Sequence, residues 1–159
     1  MMKAAIRLTS QLMGACLLAA LCGCRGAEDP QDAGLFSDVT ASLGIDFSLV
    51  NGATGERFVN ETMVGGAGWI DYDGDGWLDL YLANGHEASS AAEKPGTAGN
   101  RLYRNLSGGG FEDVTAKAGV GDRRYSNGVA VADYDNDGDQ DLFVANVGRN
   151  TLYRNRGDG

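Results

Sequence analysis

The sequence predicts an all-β fold of four-stranded antiparallel blades, a partial β-propeller. Three observations predict it. An acidic block running into a β-rich stretch, "DYDGDGWLDLYLAN" (71–84), returns as "DYDNDGDQDLFVAN" (133–146). Two more blocks recur in the same cyclic order: "NRLYRN" (100–105) as "NTLYRN" (150–155), and "FSDVTASLGI" (36–45) as "FEDVTAKAGV" (111–120). The spacings differ while the blocks hold, as they do when linkers vary around a repeated structural unit. Third, glycine is abundant (25) and proline scarce (2) among 159 residues. Together with the lack of a long helical period, that composition points to short strands joined by tight turns.

The first element is a leader. Residues 1–23 carry Lys3 and Arg7 ahead of an apolar stretch from Leu12 to Cys22, too short and too punctuated to span a bilayer. The ending "LCGC" (21–24) resembles a bacterial lipobox with Cys24 as the lipid acceptor, although Cys22 stands where a smaller residue is usual. All three cysteines (Cys16, Cys22, Cys24) lie in this window, so cleavage before Cys24 leaves one thiol and no internal disulfide. The expected partner is thus a membrane, reached through an N-terminal lipid anchor. By resemblance to Gram-negative lipoproteins, Arg25 after the acceptor suggests the outer membrane. Secretion or a periplasmic location, with cleavage elsewhere, is the competing reading. Residues 24–34, "CRGAEDPQDAG", read as a flexible tether.

The strands follow. Residues 35–64 hold the first "FSDVT", expected to be a closing strand, and a lead-in. Blade one covers 65–125: a strand before the acidic loop, "WLDLYLAN" (77–84) after it, "RLYRN", then "F-x-DVT" with a short turn of helix behind it. Blade two, 126–159, begins with "GVAVADYD" (128–135), where Val129 and Val131 alternate with alanines. "QDLFVANV" (140–147) and "TLYRN" follow, and its fourth strand is absent. Two blades cannot close a ring, so the chain is read as the N-terminal fragment of a longer protein.

The acidic loops carry the chemistry. Asp71, Asp73, Asp75 and Asp79 occupy positions 1, 3, 5 and 9 of one loop, and Asp133, Asp135, Asp137 and Asp141 those of the other. Glycine stands at position 6 in both, as Gly76 and Gly138. That pattern offers a calcium ion alternate carboxylates in a tight turn, with backbone carbonyls from Trp77 and Asp139 at position 7. Without a cation the loop opposes itself: two like charges ~4 Å apart repel by about 1 kcal/mol in water, and by roughly 4 kcal/mol at an effective dielectric of 20. Position 12 is Leu82 or Val144 rather than Glu, and the exit is a strand, so neither loop is an EF-hand. Without a bidentate Glu, affinity on the order of 10⁻⁴–10⁻³ M is expected, as in extracellular modules.

These blocks resemble the FG-GAP/VCBS repeat family, in particular its cartilage-acidic-protein-like group associated with ASPIC/UnbV segments. "ADYDNDGDQDLFVAN", "DYDGDGWLDLYLAN", "NRLYRN" and "FEDVTAKAGV" carry the resemblance, over about 35–159. It implies a seven-bladed propeller similar to integrin α-chain heads, with calcium between the first two strands of a blade and a role in adhesion and binding. The ASPIC/UnbV segment itself is not in this sequence.

Formal net charge is −9, and an acidic surface repels phosphate, so nucleic acid is not an expected partner. No Ser/His/Asp set, reactive cysteine or phosphate loop is present, which favours a binding module for a protein or glycan over an enzyme. The alternative is the non-catalytic portion of an exported polysaccharide hydrolase or lyase whose active site lies beyond residue 159. His86, the only histidine, reads as a loop residue, and "RGD" (156–158) as turn chemistry. Trp69 and Trp77 flank the first loop and are expected to pack within the blade. "HEASSAAEKPGTAG" (86–99) is an insertion absent from the second repeat.

Overall fold

A computed structural model of the chain describes residues 35–56, 59–86 and 98–157. The leader, the tether, Cys24 and most of the 86–99 insertion lie outside the described residues. The chain divides into two units, Met1–Asp38 and Val39–Gly159. The second holds every strand described.

After a single helical turn, α1 (Val59–Thr62), four strands form an antiparallel meander: β1 (Gly66–Ile70), β2 (Asp79–Ala83), β3 (Arg101–Asn105) and β4 (Phe111–Asp113). A second turn of helix, α2 (Thr115–Ala118), leads into a three-stranded antiparallel sheet of β5 (Ser126–Ala132), β6 (Asp141–Asn146) and β7 (Thr151–Tyr153). The two sheets follow one plan. In both, the acidic loop joins the first strand to the second, with Ile70 opposite Asp79 and Ala132 opposite Asp141.

The strands form where apolar and small residues alternate. In β2, Asp79, Tyr81 and Ala83 are buried while Leu80 and Leu82 are half-buried. In β5, Val129 and Val131 turn inward and Ala130 and Ala132 outward. Trp77 and Leu78 belong to the loop rather than to β2, and both are about half exposed, as is Trp69. The tryptophans therefore do not fill the blade interior. Trp77 lies over the β3–β4 turn, where a side chain at Gly108 would come within 3.6 Å of its ring.

The first strands of the two sheets approach most closely. A Cβ at Gly68 would stand 2.8 Å from Val129 Cγ1, and one at Gly66 would stand 3.2 Å from the Gly128 backbone. Between the sheets, Ile70, Tyr72, Tyr81, Leu102, Val114, Leu142 and Val144 form one buried cluster. Tyr81, completely buried, donates its hydroxyl to the Val120 carbonyl and receives Asn100 Nδ2. Main-chain bonds also cross between sheets: Ser126 N–H to the Asn84 carbonyl and Gly65 N–H to the Ser126 carbonyl, both 2.9 Å.

The "DVT" block is only partly strand. β4 ends at Asp113, and the following residues form a helical turn in which Ala118 N–H reaches the Val114 carbonyl and Val120 N–H the Thr115 carbonyl. The first copy repeats that turn without the strand: Leu43 N–H bonds to Val39 O and Ile45 N–H to Thr40 O, while 36–39 are irregular. The expected closing strand is thus not formed here. A strand exists only by pairing, whereas the turn satisfies itself locally.

Candidate metal centre

Each acidic loop is shaped by its own carboxylates. In the first, Asp71 Oδ2 accepts the Gly76 N–H at 3.0 Å, and Asp75 Oδ1 accepts the Trp77 N–H at 2.9 Å. In the second, Asp133 Oδ2 accepts the Gly138 N–H at 3.0 Å, and Asp137 Oδ1 accepts the Asp139 N–H at 3.1 Å. The chain turns back through left-handed backbone at positions 4 and 6: Gly74 and Gly76 in one loop, Asn136 and Gly138 in the other. Asn is the substitute that tolerates that conformation.

Position 9 fastens loop to sheet. Asp79 is completely buried, with Oδ2 accepting the Tyr72 N–H at 3.0 Å and Oδ1 the Asn105 N–H at 2.8 Å. Asp141 does the same with the Tyr134 and Asn155 N–H groups, at 2.9 and 2.8 Å. Burial raises the Asp79 carboxyl above its ordinary pKa, and the two N–H donors offset this only in part. Desolvation likewise leads at Asp135, whose carboxyl is raised although Arg154 draws it down.

The folding brings three carboxylates of each loop together. Asp71, Asp73 and Asp79 each offer an oxygen within 4.8 Å of the others, and so do Asp133, Asp135 and Asp141. Such a trio could hold a metal ion. In the first loop Asp71 Oδ1 is buried and has no hydrogen-bond partner, so a carboxylate oxygen with unused lone pairs sits within the trio's own residues. All-oxygen donors on a short turn suit a hard divalent cation. Asp75 and Asp137 stand outside the trios. Trp77 and Asp139 enter the loop contacts described through their N–H groups.

What holds Asp75 and Asp137 is arginine, a role the sequence reading did not assign. Arg104 Nε lies 2.6 Å from Asp73 Oδ2 and its Nη2 3.0 Å from Asp75 Oδ2. Arg154 repeats the fork on Asp135 and Asp137 at 2.7 and 2.9 Å. The Arg154 contact, reinforced by the Asp139 N–H, holds the Asp137 carboxyl below its ordinary pKa. Both guanidinium groups are in turn raised, Arg104 chiefly by Asp73 and Arg154 chiefly by its bond to Asp137. The available signal was the third residue of "LYRN", an arginine in both repeats.

Asparagines complete the plan. Asn100 Oδ1 accepts the Asn84 N–H at 2.7 Å, and Asn150 Oδ1 accepts the Asn146 N–H at 3.0 Å. Asn105 and Asn155 donate Nδ2 to the last carbonyl of the loop, Leu78 or Gln140, both at 3.1 Å. His86, read as a loop residue, lies in the loop after β2 and is buried there, edge-on to Tyr125 at 5.5 Å.

Family comparison covers the same stretch of chain. Residues 71–144 match the FG-GAP-like repeat. The matched span begins at the first aspartate of loop one and ends within β6, so it contains both candidate centres. An FG-GAP-like repeat suggests a β-propeller-like module, and the two antiparallel sheets agree with its all-β character. No curated protein and no solved structure matches the chain.

Proposed function

We propose that this chain is a non-catalytic, calcium-stabilised β-propeller repeat module that acts outside the cytoplasm and presents a surface to a protein or glycan. One observation carries the reading: two carboxylate trios at equivalent places in two repeats, each poised within 4.8 Å. The unpartnered Asp71 Oδ1 adds to it. Asp71, Asp73 and Asp79 would hold one ion and Asp133, Asp135 and Asp141 the other, with Asp75, Asp137 and the Trp77 and Asp139 carbonyls as further candidates. Calcium would supply positive charge to loops whose carboxylates otherwise repel one another. Its role is structural: the loop joining the first two strands of a blade is fixed, and so is the surface around it. The leader and Cys24 support export and a lipid anchor, with the outer membrane as the proposed site. The resemblance to the cartilage-acidic-protein-like group supports adhesion over catalysis.

The test is thermal melting of the full chain in millimolar calcium and in chelator. We expect calcium to raise the melting temperature, because an ion that binds only the folded state stabilises by mass action. At tenfold excess over the dissociation constant each site would add about 1.4 kcal/mol. Asp73→Ala combined with Asp135→Ala should remove most of the gain. Equal melting temperatures in calcium and chelator would overturn the reading.

A further inference from the structure

The two arginine forks are near-copies. Arg104 and Arg154 come from the same position of "LYRN", and each spans the carboxylates at positions 3 and 5 of its own loop. The matched distances differ by only 0.1 Å, from 2.6 to 2.7 Å at Nε and from 3.0 to 2.9 Å at Nη2. At both forks Nη2 hydrogen-bonds the carboxylate at position 5, while Nε stands against the carboxylate at position 3 as an ion pair, without a hydrogen bond at Arg104. Arginine's planar group reaches both carboxylates where lysine offers a single point charge. Each fork binds one member of the oxygen trio, Asp73 or Asp135, and one carboxylate outside it, Asp75 or Asp137. The guanidinium is therefore a fixed positive charge beside the place a metal ion would take.

We infer that Arg104 and Arg154 are built-in counter-cations: they hold the acidic loops folded without metal, and they weaken calcium binding when it occurs. The inference rests on the calcium reading above for its second half only. The physical argument is one of shared charge. In the metal-free loop the arginine cancels part of the repulsion among the loop's aspartates. A divalent ion at the trio performs the same neutralisation and is repelled by the guanidinium held against Asp73 or Asp135. Each cation then stabilises the loop less when the other is present. By linkage, the factor by which arginine weakens calcium equals the factor by which calcium weakens the arginine contact. The arginines are positioning residues for the loop and antagonists of its ligand. They lessen the loss of stability when calcium is absent.

The experiment compares the parent chain with Arg104→Gln/Arg154→Gln and with Arg104→Lys/Arg154→Lys. Melting is recorded in chelator and in calcium, and calcium affinity is measured by titration calorimetry. In chelator the Gln variant should melt lower by about 2–4 °C per site, because half-exposed ion pairs are individually weak. Calcium should restore most of that loss, so its stabilising shift exceeds that of the parent. The Gln variant should bind calcium about three- to tenfold more tightly, an effect that shrinks in ~1 M salt. The Lys variant, which keeps the charge and loses the fork, should fall between. A merely structural arginine would leave calcium affinity unchanged or weaken it, and either result overturns the antagonism. Unchanged melting in chelator overturns the neutralising role. A parent chain indifferent to calcium overturns the calcium reading and the antagonism with it, while the chelator melts still decide the neutralising role. If the double variant does not fold, Arg154→Gln alone, at the more exposed fork, is read by the same criteria.

Discussion

At the scale of single residues, the carboxylates divide by what surrounds them. Asp79 and Asp141 spend both oxygens on backbone N–H groups, so they are fasteners before they are ligands. Asp122 is a fastener of another kind. It is buried at the crossing from the first sheet to the second, with Oδ1 accepting Arg124 N–H and Nε, and Oδ2 accepting Asn146 Nδ2 and Thr151 Oγ1. Burial alone would push its carboxyl up, but these bonds outweigh it and the net shift is downward. The sign of the linkage follows. A carboxyl whose folded pKa lies below its unfolded value, about 3.9, contributes stability fully above that pH and loses it as pH falls through the folded value. Asp79, raised by burial, acts in the opposite sense, so the total acid limb mixes the two. Asp122→Asn isolates the first. Urea unfolding from pH 6 down to pH 2 should show the parent losing more stability than Asp122→Asn below about pH 4. Parallel curves would show that Asp122 carries no such linkage.

At the scale of elements, the two sheets meet chiefly through β1 against β5, and glycine makes that contact possible. Gly68 lies in ordinary extended strand, so its requirement is space alone. A methyl there would stand 2.8 Å from Val129 Cγ1 and 3.2 Å from Val131 Cγ2. Valine is stiff at χ1 and cannot swing aside freely. Gly68→Ala should therefore destabilise by about 1–3 kcal/mol in urea melts. Val129→Ala opens the space, so the double variant should be less destabilised than the two single losses added. Strict additivity would show that the two strands do not press on one another. The elements differ in how far they were legible. β2, β3, β5 and β6 could be read from alternation and recurrence, because a half-buried strand writes its faces into the sequence. The helical turn after "DVT" was visible in outline. The first "FSDVT" was not, since its likeness to β4 lies in side chains while strand formation depends on a neighbour. The arginine forks were equally hidden. Recurrence marked "LYRN" as structural, but that its arginine returns to the loop depends on cross-strand register, which places Leu80 opposite Tyr103.

At the scale of the molecule, the two acidic loops are tied into one fabric rather than standing as separate clips. Asp71, the first carboxylate of loop one, donates its N–H to Gln140 Oε1, and Gln140 closes loop two. Asn155, bonded to Asp141, sends Nδ2 both to the Gln140 carbonyl and to the Tyr72 carbonyl of loop one. At the opposite end of the strands, Asn100 N–H bonds to the Asp122 carbonyl and Ser126 N–H to the Asn84 carbonyl. The buried cluster between the sheets draws Ile70, Tyr81 and Leu102 from one side and Leu142 and Val144 from the other. Neither sheet buries that surface alone, so opening one exposes the apolar face of the other. Stability so arranged is shared: a loss at one loop should be felt by both sheets. Asp135→Ala, which alters loop two only, should lower a single melting transition in calcium without splitting it. Calorimetry checks this through the ratio of calorimetric to van't Hoff enthalpy, which should stay near one for the parent and the variant. Two resolved transitions, with only one moved by the substitution, would mean that each repeat folds for itself and that the bonds through Gln140 and Asn155 carry no coupling.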